Sequence, residues 1–219
     1  MVSRRMSKRA IVVIDLQNDF VFGTLAVPDA ERIIPKINQL ISDKLFDLLV
    51  ATRDWHPPNH TSFATQHEAE PFEQVPFCNP QDSLKIKLET VWPDHCVQNS
   101  WGAELVSDFK EAFENSSTPH LLISKGYLVD REYYLAFGDI WGLHQTELDS
   151  VLKDHNIDEV VICGLALDYC VFHSALDCAK LGYSTTLYSD LSCAISPKNH
   201  GTQISALRSA GVSIKAGPY

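Results

Sequence analysis

Six short apolar runs punctuate the chain, at residues 10–14, 47–52, 120–124, 159–164, 184–189 and 212–215, each of a length that suits a buried strand. Between them apolar residues recur at helical spacing over 30–44, 103–113, 143–155, 169–181 and 198–210. Strands alternating with helices predict a parallel sheet carrying helices on its faces. Gly182 and Gly211 follow the last two helices, where each suits a left-handed C-terminal stop. No internal repeat or linker breaks the alternation. Only residues 57–98 depart from it, with little periodicity and many Pro, His and Asn residues, as expected of a long functional loop.

Composition narrows the picture. A chain of 219 residues can bury a sizeable core without cross-links. Its six cysteines form no C-x-x-C pair and no zinc-finger spacing, so a reducing, intracellular, cytoplasmic setting is expected. Residues 1–9 carry Arg4, Arg5, Lys8 and Arg9 with no long apolar stretch behind them, which reads as a disordered tail ahead of a single domain at 10–219. No apolar run approaches the eighteen or so residues that cross a bilayer. A formal charge of −10 argues against nucleic acid or an anionic membrane as partner.

In an open parallel sheet, ligands bind beyond the carboxyl ends of the strands. Those ends deliver Asp15, then Arg53-Asp54-Trp55-His56, then Lys125-Gly126, then Gly164 leading to Cys170. The absence of G-x-G-x-x-G and of a P-loop turns attention from nucleotides to amide or ester chemistry. Asp15 is placed to be a general base, or simply a turn former, with Asp19 the better turn candidate. Asp54 and His56 alternate about Trp55, so both can face one side as ligands of one metal, with His95 as a third ligand brought in by the long loop. His60 and His67 are weaker candidates. Lys125 can hold a thiolate and a carboxylate in their charged forms, or merely end a strand in solvent. A cysteine in the first turn of a helix favours thiolate, whereas a packed cysteine is inert; the local sequence leaves Cys170 between the two. Phe20 and Trp92 are either core aromatics or the walls that sandwich a flat ring.

Taken together, D-L-Q-N-D-F at 15–20, R-D-W-H-P at 53–57, V-W-P-D-H-C-V-Q at 91–98, K-G at 125–126 and G-L-A-L-D-Y-C-V at 164–171 form a specific set. With them the chain resembles the nicotinamidases, or pyrazinamidases, of the isochorismatase-like cysteine hydrolase superfamily. The resemblance implies a three-layer α/β/α fold with a six-stranded, mostly parallel sheet of Rossmann-like topology. It implies a catalytic Asp15, Lys125 and Cys170, and one divalent metal on Asp54, His56 and His95, zinc foremost and iron or manganese as alternatives. It further implies a cis peptide between Leu165 and Ala166, an oxyanion hole from the amides of Ala166 and Cys170, and Phe20 and Trp92 packing a pyridine ring. The implied reaction converts nicotinamide to nicotinate and ammonia through a thioester and feeds NAD salvage; relatives are frequently homo-oligomers. Two other readings accompany it: an amidohydrolase of N-carbamoyl or ureido compounds, and a non-catalytic binding relative. The second would be expected to lack one of Asp15, Lys125 or Cys170, and none is lacking.

Overall fold

The computed structural model describes residues 7–196, 198 and 200–219. Six strands form one sheet in the order β5-β2-β1-β6-β7-β8, and every neighbouring pair is parallel. These are β1 (Arg9–Ile14), β2 (Leu48–Asp54), β5 (His120–Lys125), β6 (Glu159–Leu165), β7 (Ser184–Cys193) and β8 (Ser213–Lys215). The two central strands, β1 and β6, are buried almost end to end because helices cover both their faces, which is why they read as continuous apolar runs rather than alternating ones. After the short α1 (Asn18–Val21), helices α2 (Ile34–Ser42) and α3 (Ser107–Glu114) pack on each other, and α5 (Phe172–Lys180) packs on β7 and α6 (His200–Ser209). In α2, Pro35 occupies the first turn, where no backbone N–H is needed, and Ile34, Ile37, Leu40 and Ile41 supply the buried stripe. Gly182, at φ 94°, stops α5 as expected, with its N–H on the Ala179 carbonyl and the Tyr183 N–H on that of Cys178.

Strand order reverses between β1 and β6: the chain leaves β1 towards β2 and β5 on one side, and β6 towards β7 and β8 on the other. A crevice at the carboxyl ends of these strands is therefore fixed by topology. Gly164 sits at that crevice in register with Ile14, so close that a Cβ would lie 2.2 Å from the Ile14 carbonyl oxygen. No other residue fits there.

Several sequence expectations are corrected. Residues 57–98 are not wholly loop: β3 (Gln74–Asn79) and β4 (Asp82–Thr90) form a separate antiparallel hairpin. The tail expected at 1–9 overlaps structure at its end, since β1 begins at Arg9 and the Lys8 amide donates to Asp158; residues 1–6 lie outside the described residues. The first expected helix divides into a 3₁₀ turn (Ala30–Ile33) and α2. Those at 103–113 and 143–155 shorten to α3 and to α4 (Leu148–Asp154). The helix expected from 169 begins as a single π-helical turn, Leu167–Val171, and becomes α-helical only at Phe172.

Candidate active site

The ends of β1, β2 and β5 and the turn after β6 bring Asp15, Asp54, Lys125 and Cys170 to the crevice. Asp15 follows β1 directly at φ 48°, a backbone state that turns the chain sharply and leaves the carboxylate at the strand tip. The Thr52 hydroxyl on β2 accepts from the Asp15 amide at 3.2 Å and donates to Oδ1 at 2.6 Å. Asp54 and Lys125 end adjacent strands in register. The Lys125 Nζ, fully buried, lies 2.9 Å from Asp15 Oδ2, 2.6 Å from Asp54 Oδ1, 3.0 Å from the Tyr133 carbonyl and 3.6 Å from Cys170 Sγ. Ligand atoms of Asp15, Asp54 and Cys170 all fall within 4.8 Å of one another. One ammonium thus joins two carboxylates and a thiol.

Buried charges demand compensation, and here the ammonium provides it. Burial alone would lower the Lys125 pKa, yet the facing Asp15 and Asp54 carboxylates raise it well above the ordinary lysine value. Burial raises the Asp15 carboxyl above its usual range despite the pull of Lys125. Asp54 also suffers burial, but Lys125 and then His56 hold it well below. For Cys170, burial pushes the thiol well up, and Lys125 offsets only part of this. Cys170 sits in the π turn, ahead of the α-helix that begins at Phe172, and its Sγ lies beside the Asp15 and Lys125 side chains. Asp15 Oδ2 faces the Lys125 ammonium at 2.9 Å and Oδ1 the Thr52 hydroxyl, and both carboxylate oxygens are shared with the cluster that holds Cys170 Sγ.

The metal candidates converge as well. Ligand atoms of Asp54, His56 and His95 lie within 4.8 Å of each other, all three residues buried. His56 Nδ1 is 2.8 Å from the Gly126 carbonyl and His95 Nδ1 is 2.7 Å from that of Pro93. Each contact places a proton on Nδ1 and leaves Nε2 as the atom that can ligate a metal; burial would lower His56, but the Asp54 carboxylate, 3.7 Å from its Nε2, raises it above the ordinary histidine value. This donor set fits a divalent ion. Burial, then the neighbouring His56, lowers His95 to about 4, so its ring is neutral near pH 7. Gly126, at φ 71°, is required here, because a Cβ would lie 2.4 Å from His56 Cε1. His60 stacks on His56 at 4.1 Å, with Nδ1 on the Ser62 hydroxyl and Nε2 unpartnered, but it is outside the converging trio.

Phe20 and Trp92 line a cavity of about 330 Å³, including its open mouth, with Cys170 and Ala166 at its wall. Trp92 stands edge-on to Tyr169 at 4.6 Å and its indole N–H is 3.3 Å from the Tyr134 hydroxyl. The Leu165–Ala166 peptide is cis. Asp19, read as a turn former, is buried instead and accepts from the Cys96 amide at 2.7 Å, tying the His95 loop to the start of the fold. His67, on the Thr61 carbonyl at 2.7 Å, is not part of the site.

Two residues escaped the sequence reading. Gln17 clamps Asp54 through both of its backbone groups, each at 2.8 Å; its place inside D-L-Q-N-D-F was the available signal. Glu132 lines the cavity with Oε1 on the Tyr133 amide at 2.7 Å and Oε2 unpartnered, and burial raises it to about 7. It lies between the expected β5 and α4, where no periodicity marks it.

The Isochorismatase domain family model matches residues 9–216. The nicotinamidase of Saccharomyces cerevisiae is 41% identical over 195 residues, 86% of this chain and 89% of that protein. A crystal structure of the yeast nicotinamidase bound to the inhibitor nicotinaldehyde superposes with a TM-score of 0.91 at 36% identity, covering 95% of this chain and 100% of that one. A pyrazinamidase of Pyrococcus horikoshii in complex with zinc gives 0.74 at 34% identity, covering 96% and 99%.

Proposed function

The chain belongs to the isochorismatase family, and from that premise we propose that it is a nicotinamidase, hydrolysing nicotinamide to nicotinate and ammonia with Cys170 as nucleophile. The observation that carries the reading is the buried Asp15–Lys125–Cys170 cluster opening on an aromatic cavity beside Asp54, His56 and His95. Zinc is the ion we assign to those three ligands, since two imidazoles and a carboxylate suit it and the P. horikoshii relative is described with zinc. When bound, the ion would supply a Lewis acid for the pyridine nitrogen and so orient the ring.

Chemistry at the amide falls to the chain itself. Asp15 takes the Sγ proton as Sγ bonds to the carboxamide carbon, and the carbonyl oxygen becomes an oxyanion held by the Ala166 and Cys170 amides. Lys125 keeps Asp15 ionised until then and balances the thiolate as it forms. The oxyanion collapses, Asp15 returns the proton to the departing nitrogen, and ammonia leaves a thioester on Sγ. Water then attacks the thioester, Asp15 takes its proton, and nicotinate departs as Cys170 is reprotonated. Phe20 and Trp92 pack the ring, with Tyr134 and Tyr169 beside them. Nicotinate as product places the enzyme in NAD salvage, and the six free cysteines suit a reducing cytoplasm.

An ammonia-release assay over nicotinamide, pyrazinamide and an N-carbamoyl amino acid, with metal analysis of the purified protein, tests this. Turnover of the two heteroaromatic amides with about one zinc per chain is expected. Preference for the carbamoyl compound would move the activity to the other amidohydrolase class, and the absence of all turnover would favour a binding protein.

A further inference from the structure

Asp168 stands two residues before the nucleophile, and no step above uses it. Its side chain is buried, 7% exposed, within the π turn that carries Cys170. Oδ1 accepts from the Ile195 amide at 2.9 Å and Oδ2 from the Ser196 amide at 2.8 Å. On its backbone side, the Asp168 carbonyl accepts from Gln203 Nε2 of α6 at 2.8 Å. Ile195, just past β7, lines the same cavity as Cys170, Trp92 and Tyr169. A single carboxylate therefore ties the turn that carries the thiol to Ile195, another part of the cavity lining.

We propose that Asp168 is a positioning residue for substrate affinity, holding the Ile195 wall against the ring while Cys170 holds the carboxamide. The chemistry suits the task. A carboxylate has two acceptors for two consecutive N–H donors and no proton to oppose them, and such charge-assisted bonds are stronger than neutral ones. An asparagine keeps the shape but turns an NH₂ group on one of the two amides, so that bond becomes a repulsion and the wall loosens. Asp168 touches no reacting atom, and the consequence falls on binding rather than on bond cleavage. The inference rests on the nicotinamidase reading for its substrate and on the Asp168 contacts for its geometry.

The test is a cycle of Asp168→Asn, Ile195→Ala and the double variant in the metal-loaded full-length protein. Asp168→Asn is expected to raise KM for nicotinamide about 10-fold with kcat within about 3-fold, as loss of uniform binding does. Ile195→Ala should act the same way, and the double variant should add little, because both act through one wall. Alkylation of Cys170 by iodoacetanilide, read by mass spectrometry, should accelerate about 10-fold in Asp168→Asn, since the wall then yields to a bulky ring. A fall in kcat at unchanged KM, additive KM effects, or unchanged alkylation would overturn the proposal. If Asp168→Asn does not fold, Gln203→Leu replaces it and should raise KM a few-fold; an unchanged KM there overturns the proposal equally. Wild-type protein inert towards nicotinamide would defeat the functional reading alone, because the alkylation comparison needs no turnover.

Discussion

On one side of the Lys125–Asp54 contact, Asp15, Lys125 and Cys170 form a buried group whose charge is balanced within the chain; on the other, Asp54, His56 and His95 bring a carboxylate and two imidazoles within ligating reach of one another. Both halves are buried at the same sheet edge, yet one pairs opposite charges within the chain and the other gathers three donor groups, to which we assign an ion. The difference comes from the strands. Lys125 ends β5 in register with Asp54 on β2, so the lysine reaches both carboxylates but neither histidine. On our proposal the thiol half holds a proton in transit, and the histidine half holds an ion. Asp54 alone belongs to both.

That division can be broken from either side. Cys170→Ala should cost at least about 10³-fold in kcat for nicotinamide, because the covalent route is lost, while metal content stays at the wild-type level. Loss of metal along with activity would mean that the halves are not separable. Asp54→Asn should damage both, lowering metal affinity by on the order of 10²-fold and slowing turnover of protein reloaded with excess metal, since Lys125 loses one of its two counter-charges. Metal affinity read by competition with a chelator checks the first effect, and steady-state kinetics the second.

Gly126→Ala sharpens the contrast, because the three atoms nearest the new methyl all belong to the His56 ring and the backbone there, at φ 71°, disfavours a side chain. Metal affinity should fall by about 10–100-fold, whereas the rate of Cys170 alkylation in metal-free protein should stay within about 3-fold of wild type. The smallest effect concerns a histidine outside both halves. His173, stacked on Tyr134, is lowered to about 4 by burial and then by Lys180 and Lys87. Neutral in the fold, it contributes stability that is full above its ordinary value of 6.5 and is lost as pH falls through about 4. His173→Gln should remove that share of the acid slope, narrowing the gap to wild type by on the order of 1–3 kcal/mol between pH 7 and pH 4 in denaturant titrations.

The sheet was legible because buried parallel strands leave unbroken apolar runs, and their ends point to the polar groups that follow. The hairpin β3–β4 was not, because it lies off the main sheet on a small cluster of Phe77, Ala64 and Val91, while Leu84, Ile86 and Leu88 of β4 are exposed, so Pro, His and Asn residues around it outweigh its short apolar pattern. The end of β7 was missed for a related reason, as Asp190 and Ser192 break the apolar run while the backbone stays in the sheet. The π turn at Cys170 was hidden because one turn is too short for a period of 3.6 to be told from a wider one. Asp15, Asp54, His56, Lys125, His95 and Cys170 are brought together in space as the sequence motifs anticipated, but what each does there remains our proposal. Asp168 shows the limit: its partners at Ile195 and Ser196 are 27 and 28 residues away and use only backbone amides, which leave no mark in side-chain composition.

The central claim, that the thiol half makes and breaks the bond to carbon, is tested most directly by acid-quenching the enzyme within its first turnovers of nicotinamide and mapping the trapped adduct by mass spectrometry. A single nicotinoyl group on Cys170, absent from Cys170→Ala, is the predicted result. Full turnover with Cys170 unmodified, or an adduct on another residue, would contradict it.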